Sequence, residues 1–123
     1  MKDITIGESE LEIMKVLWKA KEPITSVEIS QAVAERGWKK TTIATFLTRL
    51  VEKGAVAANK QGKLYYYTPL LTAKAHRRAQ TRHLIMSLYN GSVKDFAVSL
   101  FEEEKLSEGD IQELRALFED KEG

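Results

Sequence analysis

Between Gly54 and Pro69 the chain changes its period. The stretch "AVAANKQGKLYYYTP" sets β-branched and aromatic residues on either side of the turn-forming "NKQG". That pattern predicts a hairpin with strands near Ala55–Ala58 and Leu64–Thr68, ended by Pro69. On both sides of it the apolar residues recur at helical spacing. One hairpin set after three helices and before three more leaves few folds open to 123 residues.

The first helix is expected over Gly7–Ala20, with Thr5 and Glu8 at capping-box spacing and Leu11, Met14 and Trp18 on one face. Trp18 reads as core. "ITSVEISQAVAERG" predicts a second helix, capped by Thr25 and Glu28, with Val27, Ile29 and Val33 inward and Gly37 closing it. The third covers about Lys40–Lys53, with Gly54 at its C-cap. After the hairpin, Thr72 opens a long helix that Asn90-Gly91 stops. Ser92 and Asp95 cap the next, whose inward set is Val93, Phe96, Ala97, Leu100 and Phe101. Ser107 and Asp110 cap the last, with Ile111, Leu114, Leu117 and Phe118 inward. The expected fold is mainly α with a small β-hairpin wing. It comprises a winged helix-turn-helix over residues 1–71 and a helical region over 72–123. Three short amphipathic helices cannot make their own core, so their stripes need a partner, and a second copy of the chain is the simplest.

Charge is unevenly spread. Residues 1–35 carry four Lys/Arg and seven Asp/Glu; residues 36–82 carry eleven and one; residues 83–123 carry four and ten. The net charges are therefore −3, +10 and −6. A basic block between two acidic ones points to a polyanion-binding face in the middle and a different task at the C-terminal end. With no cysteine, disulfides, thiolate metal sites and thiol nucleophiles are excluded, which suits a cytoplasmic protein. The longest apolar runs are four residues, far short of the roughly 20 a membrane span needs, and "MKDITIGESELE" has no signal core.

The third helix, in "WKKTTIATFLTRLVEKG", carries the functional signal. Ile43, Leu47 and Leu50 face inward, with Phe46 and Val51 beside them. Thr42, Thr45 and Arg49 lie on the other side, flanked by Thr41 and Thr48, with Lys39 and Lys40 at the helix start. Short hydroxyls allow close approach to a groove, a threonine methyl can meet thymine's, and arginine pairs with guanine. Two lysines at a helix N-terminus favour phosphate. This is the character of a recognition helix. Trp38, in the preceding turn, is expected to be half-buried with its indole N–H toward a phosphate. Lys60 and Lys63 flank the wing tip and can reach the backbone of double-stranded DNA. A solvated helix face rich in threonine is the bland alternative; the surrounding positive charge argues against it. His76 and His83 on the fourth helix have no carboxylate nearby and make a poor metal site. No triad order, paired carboxylates or phosphate-cradling glycine loop marks an enzyme, and no cofactor is expected.

The segments "ESELEIMKVLWK", "ITSVEISQAVAE", "WKKTTIATFLTRLVEKG", "LYYYTPLL" and "LSEGDIQELRALF" resemble penicillinase repressors of the BlaI/MecI type over nearly the whole chain. The resemblance implies a homodimeric transcriptional repressor of the antibiotic-resistance class that binds a palindromic operator. It also implies release by cleavage, triggered by a membrane sensor and protease. The family's β-lactam branch is cut at an Asn-Phe bond; the counterpart here is Leu100-Phe101, with leucine in place of asparagine. The cysteine motif of the copper-responsive branch is absent. The competing function is a winged-helix protein-interaction module that never touches DNA.

Overall fold

The structure, a computed structural model, describes residues 4–103 and 106–122; the side chains of 103 and 118–122 lie outside the description. Its elements run α1 (Glu8–Lys19), β1 (Ile24–Thr25), α2 (Ser26–Ala32), a 3-10 turn (Ala34–Arg36), α3 (Lys40–Glu52), β2 (Val56–Gln61), β3 (Leu64–Pro69), α4 (Ala73–Tyr89), α5 (Val93–Glu103) and α6 (Glu108–Glu122). The chain divides into two compact units, Met1–Ala79 and Gln80–Gly123, with the division inside α4.

In the first unit α1 starts two residues later than the Thr5–Glu8 pair predicts. The Gly7 carbonyl accepts the first helical bond from Leu11, so Glu10 holds the third helical position and its carboxylate accepts the Gly7 N–H at 2.8 Å. The Thr25–Glu28 box forms as expected. Thr25 Oγ1 accepts the Glu28 N–H at 3.3 Å, and Glu28 Oε1 accepts the Thr25 N–H at 3.2 Å. Ile29 and Val33, four apart, are buried. Val27 is not inward: two residues before Ile29, it lies on nearly the opposite side of a short helix and is 55% exposed.

The hairpin is longer and tighter than its composition suggests. Gln61 pairs with Leu64, so the turn is the two residues Gly62-Lys63 and most of "NKQG" belongs to β2. Gly62 sits at φ +67°, which suits a glycine-first two-residue turn. The residues Ile24-Thr25, expected only as a helix lead-in, pair antiparallel with Tyr67 and Tyr66. The result is a three-stranded sheet of order β1-β3-β2.

Ile13, Met14 and Leu17 of α1, Ile29 of α2, Ile43, Leu47 and Leu50 of α3, and Ala55 and Val56 at the start of the hairpin form one core. Each fully buried aliphatic side chain contributes roughly 1.5–3 kcal/mol. Trp18 packs at the rim of this core rather than inside it. Its indole N–H donates to the Leu71 carbonyl at 2.8 Å, and its ring lies 5.7 Å from that of His76.

In the second unit α4 ends at Tyr89, where Asn90 (φ 49°) and Gly91 (φ 82°) turn left-handed and the Gly91 N–H closes on the Ile85 carbonyl. Ser92 caps α5 through the Asp95 N–H, and Ser107 with Asp110 forms a reciprocal box on α6. Tyr89 packs edge-on against Phe96 and donates its hydroxyl proton to Ser99 at 3.0 Å. Phe96, Ala97, Leu100, Ile111 and Leu114 are half-buried, whereas Val93, Phe101 and Leu117 are exposed; the side chain of Phe118 lies outside the described residues.

Candidate nucleic-acid interface

Three elements build the face. α2 and the 3-10 turn deliver the chain to Gly37, whose φ of +68° lets it reverse before α3. α3 buries Ile43, Leu47 and Leu50 and turns Thr41, Thr45, Thr48 and Arg49 outward, with Thr42 half-buried at its edge. Lys39, at the N-cap, and Lys40 are exposed beside the free N–H groups of the first turn. The wing tip carries Lys60 and Lys63, both exposed, and Lys60 lies 5.9 Å from the centre of the Tyr65 ring.

Two of the threonine hydroxyls are already engaged. Thr45 Oγ1 donates to the Thr41 carbonyl and Thr48 Oγ1 to the Ala44 carbonyl, each at 2.9 Å. Each proton is used inside the helix, so the oxygen faces outward as an acceptor beside a methyl group.

Trp38 is half-buried, as its sequence context suggests. Its ring packs edge-on against Phe46 of α3 at 5.1 Å, with the Arg36 guanidinium 5.8 Å from its centre. Arg36 in turn pairs with Glu12 of α1 at 2.6 Å. Hydrogen bonds from Arg36 and then Lys15 hold the Glu12 carboxyl below its usual value.

Sequence reasoning missed a second cross-link. The Lys53 ammonium, at the end of α3, donates to the nearly buried Glu10 carboxylate and to the Thr5 carbonyl at 2.8 Å. Burial pushes the Glu10 carboxyl up. The hydrogen bonds from Lys53 and Gly7, with the charges of Lys53 and Arg49, outweigh it and hold Glu10 below the ordinary carboxylate value. Arg49 thus lies within the field of Glu10 while staying exposed. Residues 43 apart in sequence carry no local signal of such a pair. On the wing, burial followed by the charge of Tyr65 raises the Tyr67 hydroxyl above its usual value.

The arrangement offers cations, acceptor oxygens and methyl groups along one helix face beside a lysine-tipped hairpin. Among the described residues no three His, Cys, Asp or Glu side chains are grouped to hold a metal. No helix among them is long and apolar enough to cross a membrane.

Comparison with known proteins agrees with this geometry. The chain is 31% identical over 115 residues to the penicillinase repressor of Bacillus licheniformis, covering 94% of this chain and 90% of that one. It is 28% identical over 120 residues to the methicillin resistance regulatory protein MecI of Mammaliicoccus sciuri, covering 98% of each. The solution structure of the monomeric form of Bacillus licheniformis BlaI, in complex with the blaP half-operator, superposes with a TM-score of 0.52 at 38% identity. That match covers 61% of this chain and 93% of the other. The sequence profile of the family described as "Penicillinase repressor" matches residues 6–120. With the helix order, the wing and this match in agreement, the chain belongs to the penicillinase repressor family.

Proposed function

We propose that the chain is a DNA-binding transcriptional repressor, and no enzyme, that reads duplex DNA with α3 and the wing. The observation that carries this is the exposed face of Lys39, Lys40, Thr41, Thr45 and Arg49 beside a hairpin tipped by Lys60 and Lys63. Lysines at the two ends take phosphates, and Arg49 reads a guanine edge. Thr45, its proton held by Thr41, accepts from an adenine or cytosine amino group or lays its methyl against thymine. The likeness to BlaI, whose structure was solved on a half-operator, supports the reading.

Residues 1–71 act as the DNA-binding part and residues 72–123 as the dimerisation part of a C2 homodimer. The exposed Val93, Phe101 and Leu117 supply apolar surface for a second copy to cover. Two recognition helices about 34 Å apart then fit a palindromic operator. Release follows a cut at Leu100-Phe101 on α5 by a protease under a membrane sensor, which splits the dimerisation stripe and removes the avidity of two half-sites. Selection of bound sequences from a random duplex pool tests the reading. A near-palindrome is expected, and Arg49→Ala is expected to lose about 1–3 kcal/mol on it and relax its preference at one position. A pool that never enriches, with binding insensitive to salt, favours the protein-interaction alternative and refutes the proposal.

A further inference from the structure

A fixed carboxylate stands beside the one arginine of α3. A groove of about 570 Å³ opens between the start of α1 and the later half of α3, with Glu8, Glu10, Arg49 and Lys53 in its lining. Arg49 and Lys53, four residues apart, share one side of α3. The acids come from the first turn of α1. Glu8 is exposed, so water screens its charge. Glu10 is only 5% exposed. Its Oε1 accepts from both the Gly7 N–H and the Lys53 ammonium, which anchors the carboxylate between the two helices.

The two cations are used differently. Lys53 is spent on Glu10 and the Thr5 carbonyl. Arg49 stays exposed, lines the same groove and feels the Glu10 charge. A guanidinium reads a base edge only in one orientation, and a long side chain loses rotamer freedom when it is fixed there. A carboxylate that cannot move limits the positions the guanidinium takes before a ligand arrives. It also offsets part of the positive charge, which weakens attraction to phosphates of any sequence. Both effects widen the gap between a right and a wrong base pair.

We propose that Glu10 is a positioning residue for Arg49: its anchored carboxylate orients the guanidinium toward a base edge and sets how strictly that base pair is read. The inference rests on the DNA-binding reading above, in which Arg49 meets guanine, and adds a residue that itself touches no DNA.

The test is binding of the full chain to three duplexes: a selected one, the same one changed at the base pair that Arg49→Ala relaxes, and an unrelated one. Glu10→Gln keeps an acceptor for the Gly7 N–H and removes the charge. It lowers the preference for the selected base pair about tenfold and does not weaken binding to the unrelated duplex. In an Arg49→Ala background the same change alters the preference no further. Lys53→Met leaves the Glu10 charge in place and keeps the preference within about twofold. A merely structural role for Glu10 would weaken all three duplexes together. The inference is overturned if Glu10→Gln leaves the preference unchanged, weakens all three duplexes alike, or lowers the preference equally when Arg49 is absent. If Glu10→Gln does not fold, NMR relaxation of the Arg49 Nε–H in the unaltered, DNA-free chain decides. Order close to that of the α3 backbone supports the inference, and averaging as free as that of the exposed Arg77 overturns it. Each of these failures leaves the DNA-binding reading standing. An unaltered chain that binds no duplex overturns both.

Discussion

Replacing Lys53 by methionine removes the charged partner of Glu10 and keeps most of the unbranched side chain. Glu10 is only 5% exposed, so its carboxylate depends on neighbours rather than on water. Breaking one side of a fully buried ion pair costs about 3–5 kcal/mol. Two features reduce that here. The Gly7 N–H still donates to Glu10, and the Lys53 side chain is 34% exposed and screened by solvent. The same ammonium also holds the Thr5 carbonyl, so the N-terminal segment loses a bond as well. The expected loss is about 2 kcal/mol at neutral pH, or about 8–16 °C in Tm for a domain of this size.

The pH dependence separates charge from packing. The carboxyl of Glu10 lies below its ordinary value in the folded chain, so its contribution to stability is present above the unfolded value and is lost as pH falls through the folded one. The penalty of Lys53→Met therefore shrinks as the solution is acidified from neutral pH through the folded-state value of Glu10, because the protonated carboxyl needs no cation. Thermal or urea unfolding of both chains at several pH values measures this. A penalty equally large at acid and neutral pH refutes the electrostatic argument and assigns the loss to packing.

Leu47→Ala, which opens a void between α3, the wing and the core, costs about 2–5 kcal/mol by urea denaturation. A fragment ending at Ala79 keeps the first compact unit, so it is expected to fold and to sediment as a monomer, whereas the full chain is expected to sediment as a dimer. A dimeric fragment moves the interface into the winged unit. Cells producing the chain and exposed to β-lactams are expected to yield a fragment ending at Leu100 by mass spectrometry; loss of repression with an intact chain excludes cleavage as the release step.

The period of the sequence carried the order of the helices and hairpin, the extent of α3 and the caps of α2, α5 and α6, because each is a pattern within a few residues. It failed where geometry is decided by pairing across the chain. Ile24-Thr25 is too short to announce a strand and becomes one only because β3 passes beside it. The turn-forming look of "NKQG" gave way to a register that extends β2 to Gln61. Glu8 and Glu10 are both plausible partners for a helix start, and the choice between them depends on where Gly7 begins the helix. At the interface, the residue types along α3 were legible. The edge-on packing of Trp38 on Phe46, the Glu12–Arg36 pair and the hold of Lys53 on Glu10 were not, since each joins α3 or its preceding turn to another element through side chains.

The outer face of α3, with the wing, is the proposed contact with duplex DNA. Amide chemical shifts of the full chain, followed by NMR as a selected duplex is added, map that contact residue by residue. The largest changes are expected at Lys40, Thr41, Thr45 and Arg49 and at Lys60 and Lys63 on the wing, with α6 little affected. Changes confined to α5 and α6, or none along α3 at saturating duplex, contradict it.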